Sequence, residues 1–289
     1  MSYYKILGLE KEPFSTSPDP DFFYLSREHE AALTNTLIEL RLKRGLSVIL
    51  GDIGTGKTTL SRKLIQELKE RQDFLFYIIL DPSFEDEKQL YLSLLRGFDA
   101  AQEELGSLAA TDLKEKIERL LFQKAVNQNK TIVLIIDEAQ KLNQMSLEVL
   151  RMLLNYETNE YKLIQLVILG QLELHAKILN MPNFFDRISF KYTLNPLTYN
   201  EAKEMIAFRL HQAGLGLNAR LFLDDAIKEI VDYTKGYPRK ITMLCHLLLK
   251  DLVMKRKIVI DRAMVGEIIE SEIRAGWQKA DILHQRSSY

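Results

Sequence analysis

Short apolar runs alternate with amphipathic segments along this chain as far as Leu194. The run Thr131–Ile136 is continuous and rich in β-branched residues, which is typical of a strand buried on both faces. Segments between the runs, such as Asp86–Phe98, Thr111–Asn127 and Ser146–Thr158, have helical periodicity. Strands that alternate with helices predict a parallel sheet sandwiched by helices. The five predicted strands are Ser47–Leu50, Phe74–Leu80, Thr131–Ile136, Leu163–Leu169 and Phe190–Leu194.

The strand pattern stops at about Pro196, and the rest of the chain has only helical periodicity. Glycines and a Gly236-Tyr237-Pro238 turn separate the helical segments. This change predicts an α/β domain, residues 27–195, followed by a small all-α domain, residues 196–289. The predicted helices of the second domain are Asn200–Ala213, Asp224–Thr234, Pro238–Lys255 and a segment from Asp261 to about Gln278.

The stretch Gly51–Thr58 is a complete phosphate-binding P-loop of the form G-x-x-x-x-G-K-[ST]. An apolar run precedes it and a helical segment follows it, which is the context in which the motif binds phosphate through backbone N–H groups and a helix N-terminus. Lys57 can reach the β- and γ-phosphates of ATP, and the Thr58 hydroxyl can ligate Mg²⁺. The candidate nucleotide-binding residues are Gly51, Asp52, Ile53, Gly54, Thr55, Gly56, Lys57, Thr58 and Thr59.

Two carboxylates, Asp137 and Glu138, follow the buried strand Thr131–Ile136. The carboxyl ends of strands are where open α/β sheets bind ligands. Asp137 is the second candidate ligand of Mg²⁺, and Glu138 is the candidate base that polarises the attacking water. Together with the P-loop, this pair predicts an ATPase.

The N-terminal arm, residues 1–26, carries Pro13, Pro18 and Pro20 among several aromatic residues. This proline density predicts an extended segment. Two interpretations stay open: the arm lies across the nucleotide pocket, or it is a clasp that packs on the core. Ser26 is predicted to cap the helix that follows.

Composition narrows the possible binding partners and the expected cellular location. Among 289 residues, 39 basic side chains nearly cancel 40 acidic ones, so there is no overall attraction to nucleic acid or anionic lipid. A lone cysteine, Cys245, cannot form an internal disulfide and fits a reducing compartment. The N-terminus carries no signal segment, and no apolar run reaches the roughly 18 residues that span a bilayer. We therefore expect a cytoplasmic protein without a membrane span, and we interpret its histidines as ordinary structural or surface residues.

A strand between the P-loop strand and the Asp137-Glu138 strand, followed by a helical lid, resembles the AAA+ superfamily. The resemblance implies that Gln171 acts as the first sensor beside the attacking water. It implies that Arg187 is the arginine finger of a neighbouring subunit's site, with Arg151 in reserve. It also implies that Arg239 is the second sensor, which touches the γ-phosphate in cis.

More specific motifs resemble the ExeA/GspA type of AAA+ ATPase. The N-terminal motif consists of Lys11–Pro20 followed by Phe23–Ser26, and Leu172 departs from the family pattern, which often has proline there. The other matching stretches are Leu150–Thr158, Leu169–Leu174 and Arg209–Gly214.

This resemblance implies an oligomeric ATPase, a ring or filament such as a hexamer, that serves envelope, secretion or pilus assembly with a partner protein. The chain lacks the transmembrane and periplasmic parts of those relatives, so we expect either an excised domain or a soluble relative. The same ATPase type is similar to TniB- and TnsC-like transposition regulators. The alternative is therefore an ATP-dependent transposition adaptor that binds DNA, with Lys255-Arg256-Lys257 and Arg239-Lys240 as the best local candidates.

Overall fold

The computed structural model describes residues 2–17, 19–99, 105–216 and 219–276. The strands are β1 (Leu46–Gly51), β2 (Phe74–Ile79), β3 (Thr131–Ile136), β4 (Ile164–Gly170) and β5 (Ile188–Leu194). The helices are α1 (Tyr3–Ile6), α2 (Arg27–Arg41), α3 (Lys57–Lys69), α4 (Glu87–Phe98), α5 (Ala110–Phe122), α6 (Gln144–Leu153), α7 (Glu173–Leu179), α8 (Pro182–Phe185), α9 (Tyr199–Gln212), α10 (Asp224–Thr234), α11 (Pro238–Met254) and α12 (Arg262–Arg274).

The chain divides into two compact units, an α/β unit formed by Leu25–Asn195 and a helical unit formed by Met1–Tyr24 together with Pro196–Tyr289. The chain passes between the two units at Leu25 and at Asn195, and polar contacts within the α/β unit lie close to both positions. The Glu28 carboxylate accepts hydrogen bonds from the backbone N–H of Asn195 at 2.8 Å and from its side-chain amide at 3.1 Å. The two places where the chain leaves the α/β unit are thereby tied to each other.

The α/β unit is built on a five-stranded sheet in the order β2-β3-β4-β1-β5, with parallel pairing throughout. This confirms the predicted sheet. All residues of β1, β3 and β4 are buried, as expected for central strands covered on both faces. The edge strand β5 instead alternates exposed and partly buried residues up to Leu194. The carboxyl ends of β3, β4 and β1 therefore lie side by side on one edge of the sheet.

The helical unit has its own apolar core, to which the N-terminal arm contributes Leu9, Phe14 and Phe22. Arg209 of α9 donates hydrogen bonds to the carbonyl oxygens of Pro13 at 2.7 Å and Ser15 at 2.8 Å. Burial lowers the pKa of this guanidinium. The arm is thus packed on the helical unit, in the manner of the clasp interpretation.

Two predicted elements differ from the structure near prolines and turns. The arm was expected to be extended, but α1 precedes Pro13, and Pro20 begins a short 3₁₀ helix, since proline is tolerated in a first helical turn. The predicted helix Ser146–Thr158 ends at Leu153, because the chain turns back and Glu157 bridges to Lys162.

Other boundaries shift by a few residues, and two helices besides α1 were missed. α7 and α8 are too short to show a clear period, so the sequence pattern did not predict them. The predicted end of the last helix near Gln278 lies outside the described residues. In the described part of the chain, no helix combines the length and apolar character needed to cross a bilayer.

Candidate functional site

Three strand ends bring the candidate residues of the α/β unit together. β1 leads into the P-loop, β3 leads into Asp137-Glu138, and β4 leads into Gln171. Because β4 pairs with both β3 and β1, the first sensor candidate lies between the P-loop and the carboxylates. The strand order therefore brings the P-loop, the two carboxylates and Gln171 together at the carboxyl ends of the strands, although the P-loop and Gln171 are more than a hundred positions apart in the sequence.

The P-loop has the backbone of a phosphate-binding loop. Gly54 and Gly56 adopt φ values of 86° and 101°, in the left-handed region that favours glycine. The Thr55 side chain is buried and donates a hydrogen bond to the Asp52 carbonyl oxygen at 2.9 Å. Ile53, at the loop tip, has 63% of its surface exposed, so its side chain does not pack on the core and the residue contributes its backbone to the loop.

Lys57 begins α3 and its ammonium group contacts the loop itself. Its Nζ donates to the carbonyl oxygens of Gly51 at 2.7 Å and Asp52 at 2.9 Å. Burial lowers the pKa of Lys57, while the charges of Glu138 and Asp137 oppose this shift. A buried cation at the start of a helix attracts phosphate.

Asp137 and Thr58 form the second contact between the P-loop and β3. The Thr58 hydroxyl hydrogen-bonds to the Asp137 carboxylate, which also accepts the backbone N–H of Glu138 at 2.9 Å. Burial raises the pKa of Asp137, and the Thr58 hydrogen bond opposes that rise. Only 2% of the Asp137 surface is exposed, so this carboxylate is costly to keep charged without a cation.

Glu138 has a strained backbone and a defined partner. Its φ of 51° lies in the left-handed region, which is uncommon for a side chain of this type. Gln140 Nε2 donates to Glu138 Oε2 at 2.6 Å, and Gln140 Oε1 accepts the backbone N–H of Gln171 at 3.1 Å. Gln140 thus joins the candidate base to the candidate sensor, a role that the sequence analysis missed because it depends on β3 and β4 being neighbours.

These residues fit a nucleoside triphosphate with Mg²⁺. The glycines of the loop allow its backbone N–H groups to point at phosphate oxygens, and Lys57 adds a positive charge. Thr58 and Asp137 supply a hydroxyl and a carboxylate already in contact, and Mg²⁺ is usually bound by one or two such ligands together with phosphate oxygens. Thr59 continues α3 and is partly buried.

The three candidate arginines are in different situations. Arg187 precedes β5, and the pairing of Ile188 with Leu46 places it at the amino end of β1. A six-residue strand spans about 20 Å, so Arg187 is far from the P-loop of its own chain. The guanidinium of Arg151 is forked onto Glu148, with N–O distances of 2.6–3.0 Å. Arg239 lies in the first turn of α11 in the helical unit and is exposed, and its sensor role remains a prediction.

Comparison with known proteins adds one family match and three similar proteins. Residues 40–178 match the sequence family described as AAA domain. The chain is 34% identical over 247 residues to general secretion pathway protein A of Aeromonas hydrophila, which covers 84% of this chain and 43% of that protein. The structure is similar to the ORC2 protein of Aeropyrum pernix, with a TM-score of 0.66 and 17% identity over 90% of this chain and 71% of that one.

A third likeness is to Cdc6p from Pyrobaculum aerophilum, with a TM-score of 0.65, 17% identity, and coverage of 86% of this chain and 67% of that chain. Both structural likenesses concern the fold. The chain spans less than half the length of the curated relatives that it matches.

The strand order, the P-loop and the carboxylate pair are those of an AAA+ P-loop NTPase, and residues 40–178 belong to the AAA domain family. Within this class, it is a relative of general secretion pathway protein A, to which it is similar over 247 residues.

Proposed function

We propose that this protein is an oligomeric ATPase that couples ATP binding and hydrolysis to the assembly of a bacterial envelope, secretion or pilus system. The observation that carries the hydrolytic part is the assembly of the P-loop, the Asp137-Glu138 pair and Gln171 at one edge of the sheet. The similarity to general secretion pathway protein A supports the envelope part.

Each residue has a separate task in the proposed reaction. The P-loop N–H groups and Lys57 bind the phosphates. Thr58 and Asp137 would hold Mg²⁺, which would neutralise charge on the transferred phosphoryl group. Glu138 accepts a proton from the attacking water, and Gln171 orients that water. Gln140 fixes the Glu138 carboxylate by the 2.6 Å hydrogen bond.

Two substitutions test this assignment. Glu138→Gln keeps the side-chain shape but removes the base, so ATP affinity should persist while turnover falls about 10²- to 10⁴-fold. Lys57→Ala should abolish measurable ATP binding, because a charge-assisted phosphate contact is lost. Steady-state hydrolysis and equilibrium binding of a fluorescent ATP analogue measure the two effects.

The control variants are Lys69→Ala and Glu70→Gln, which change exposed residues at the far end of α3 and should behave like the wild type. Wild-type turnover in Glu138→Gln would move the base elsewhere. Unchanged ATP affinity in Lys57→Ala would remove the nucleotide site from the P-loop.

The alternative to the envelope role is a DNA-binding function, and a binding experiment separates the two. The basic segment Lys255-Arg256-Lys257 is partly neutralised, since Lys255 pairs with Asp251 at 2.8 Å and Glu267 at 2.6 Å. Lys257 lies 3.8 Å from Asp261. Such pairing reduces the charge available to DNA phosphates.

The measurement is duplex DNA binding with ATP and Mg²⁺ over a series of salt concentrations. We expect no ATP-dependent binding at physiological salt. Tight binding with a steep salt dependence, lost on charge reversal at Arg239 and Lys240, would replace the envelope proposal with the transposition-adaptor function.

A further inference from the structure

A buried histidine, His29, contacts the P-loop and is not one of the candidate site residues named above. His29 lies in the first turn of α2, and only 2% of its surface is exposed. Its Nε2 is 2.8 Å from the carbonyl oxygen of Thr55, and its Nδ1 is 2.6 Å from the hydroxyl oxygen of Ser26. The ring therefore bridges the start of α2 and the phosphate-binding loop.

The hydrogen-bond partners assign the protons of this bridge. A carbonyl oxygen only accepts, so Nε2 carries the hydrogen that is donated to Thr55. In the neutral ring Nδ1 then accepts, and the Ser26 hydroxyl donates to it. Ser26 Oγ also accepts the backbone N–H of His29 at 3.4 Å, as the N-cap of α2. The cap and Thr55 together fix the orientation of the imidazole ring.

The bond to Thr55 has a consequence for the adjacent N–H group of the P-loop. In a trans peptide, the carbonyl and the N–H point in opposite directions, so a hold on the Thr55 oxygen also directs the N–H of Gly56. Gly56 has a φ of 101°, and a glycine at this position imposes little steric control on the peptide that precedes it. His29 supplies the carbonyl of this peptide with a hydrogen-bond partner from outside the loop.

We infer that His29 is a positioning residue for phosphate binding, which turns the Gly56 N–H toward the phosphates by anchoring the Thr55 carbonyl. This inference rests on the proposed nucleotide binding at the P-loop. His29 acts through the loop and does not itself touch the nucleotide. Since the loop binds phosphates common to both nucleotides, the effect should extend to ATP and ADP alike.

Two substitutions separate the two nitrogens of the ring. Gln offers an amide donor at the reach of Nε2, whereas Asn reaches only the position of Nδ1. His29→Asn should weaken ATP and ADP binding by about tenfold, the size of one lost buried hydrogen bond. His29→Gln should restore affinity to near the wild-type value. Equilibrium titration with fluorescent ATP and ADP analogues measures both constants, and thermal melting without nucleotide compares the stability of the two variants.

The outcomes distinguish this inference from the function on which it rests. Wild-type affinity in His29→Asn, while Lys57→Ala binds no ATP, would overturn the inference and leave the proposed function intact. Equal weakening in the Asn and Gln variants with equal loss of melting temperature would mean a packing role and would also overturn it. Absence of ATP binding by the wild-type protein would overturn the function itself.

A measurement on the unmodified protein needs no nucleotide. The ¹⁵N spectrum of labelled His29 should report the tautomer with hydrogen on Nε2. Hydrogen on Nδ1 alone would contradict the bond to Thr55 and, with it, the inference.

Discussion

At the scale of single residues, the candidate site contains side chains that hold other groups of the site in place. Gln140 is the clearest case, because its amide nitrogen faces the Glu138 carboxylate and its amide oxygen faces the Gln171 N–H. Rotation of this amide by half a turn would place its oxygen against the Glu138 carboxylate oxygen, so only one orientation satisfies both hydrogen bonds. The geometry of Glu138 and of the backbone at Gln171 is therefore set by one residue.

This arrangement predicts separable effects for two substitutions at Gln140. Gln140→Met removes both hydrogen bonds and should lower kcat roughly 10- to 100-fold with little change in KM, since a misplaced base costs rate rather than phosphate affinity. Gln140→Glu keeps an acceptor for the Gln171 N–H but loses the donor to Glu138. Hydrogen exchange at the Gln171 amide should therefore speed up in the Met variant only.

Steady-state kinetics and exchange mass spectrometry check this prediction. A Met variant with the wild-type kcat, or with unchanged exchange at Gln171, would show that Gln140 does not set this geometry.

At the scale of elements, the N-terminal arm and α9 form one packed structure. Arg209 donates to two arm carbonyls, and its guanidinium carbon lies 6.0 Å from the ring centre of Phe14 and 5.8 Å from that of Phe22. A partly buried charge that satisfies two backbone acceptors is costly to replace with an apolar side chain, because both acceptors lose their donor.

Arg209→Met should accordingly release the arm. We expect a loss of about 2 kcal/mol in the unfolding free energy of the helical unit, from lost hydrogen bonds to a charged group. Amide exchange over residues 9–23 should become faster. Arg274→Met, at an exposed i,i+4 pair on α12, is the matched control and should change neither quantity. Slow exchange of the arm in Arg209→Met would assign its attachment to the apolar contacts alone.

At the scale of the whole molecule, the position of Arg187 bears on assembly. It lies at the opposite end of β1 from the P-loop, so it is too far away to complete the site of its own chain. An arginine finger that acts in trans makes hydrolysis depend on oligomerisation, and such fingers increase the rate about 10³-fold or more.

A mixing experiment tests this prediction. Arg187→Ala and Glu138→Gln should each be inactive alone, but a mixture should recover activity, because some sites combine the Glu138 of one chain with the Arg187 of another. The same mixture with Arg151→Ala tests the reserve candidate. Activity that stays flat in the Arg187 mixture, and does not rise with protein concentration, would exclude a trans role for Arg187.

Much of this architecture can be predicted from the sequence, and the exceptions have a physical cause. The strand Thr131–Ile136 was predicted residue for residue, since a continuous β-branched run has few alternatives to a buried strand. The P-loop was predicted for a similar reason, because its glycines and lysine act through local backbone geometry. The boundaries of α6 and the existence of α7 and α8 depend on turns whose partners come from tertiary structure.

The supporting residues of the site were less predictable than its central ones. His29 and Gln140 bind a carbonyl oxygen and a backbone N–H, which leave no trace in the residue types of their partners. Only the pairing of β3 with β4, and the approach of α2 to the P-loop, show what these side chains do.

The assembly of the helical unit from both ends of the chain affects the order of events on the ribosome. Tyr3 and His246 share a hydrogen bond across 243 positions, and Arg209 reaches Pro13 across 196. The arm is synthesised before the α/β unit, yet its partners emerge only after the entire α/β unit has been made. Because domains generally fold as units during synthesis, the nucleotide-binding unit can reach its folded state while Phe14 and Phe22 still lack their α9 partners. Those aromatic residues therefore have no apolar core to join until α9 has been made, so the arm docks after the α/β unit has folded.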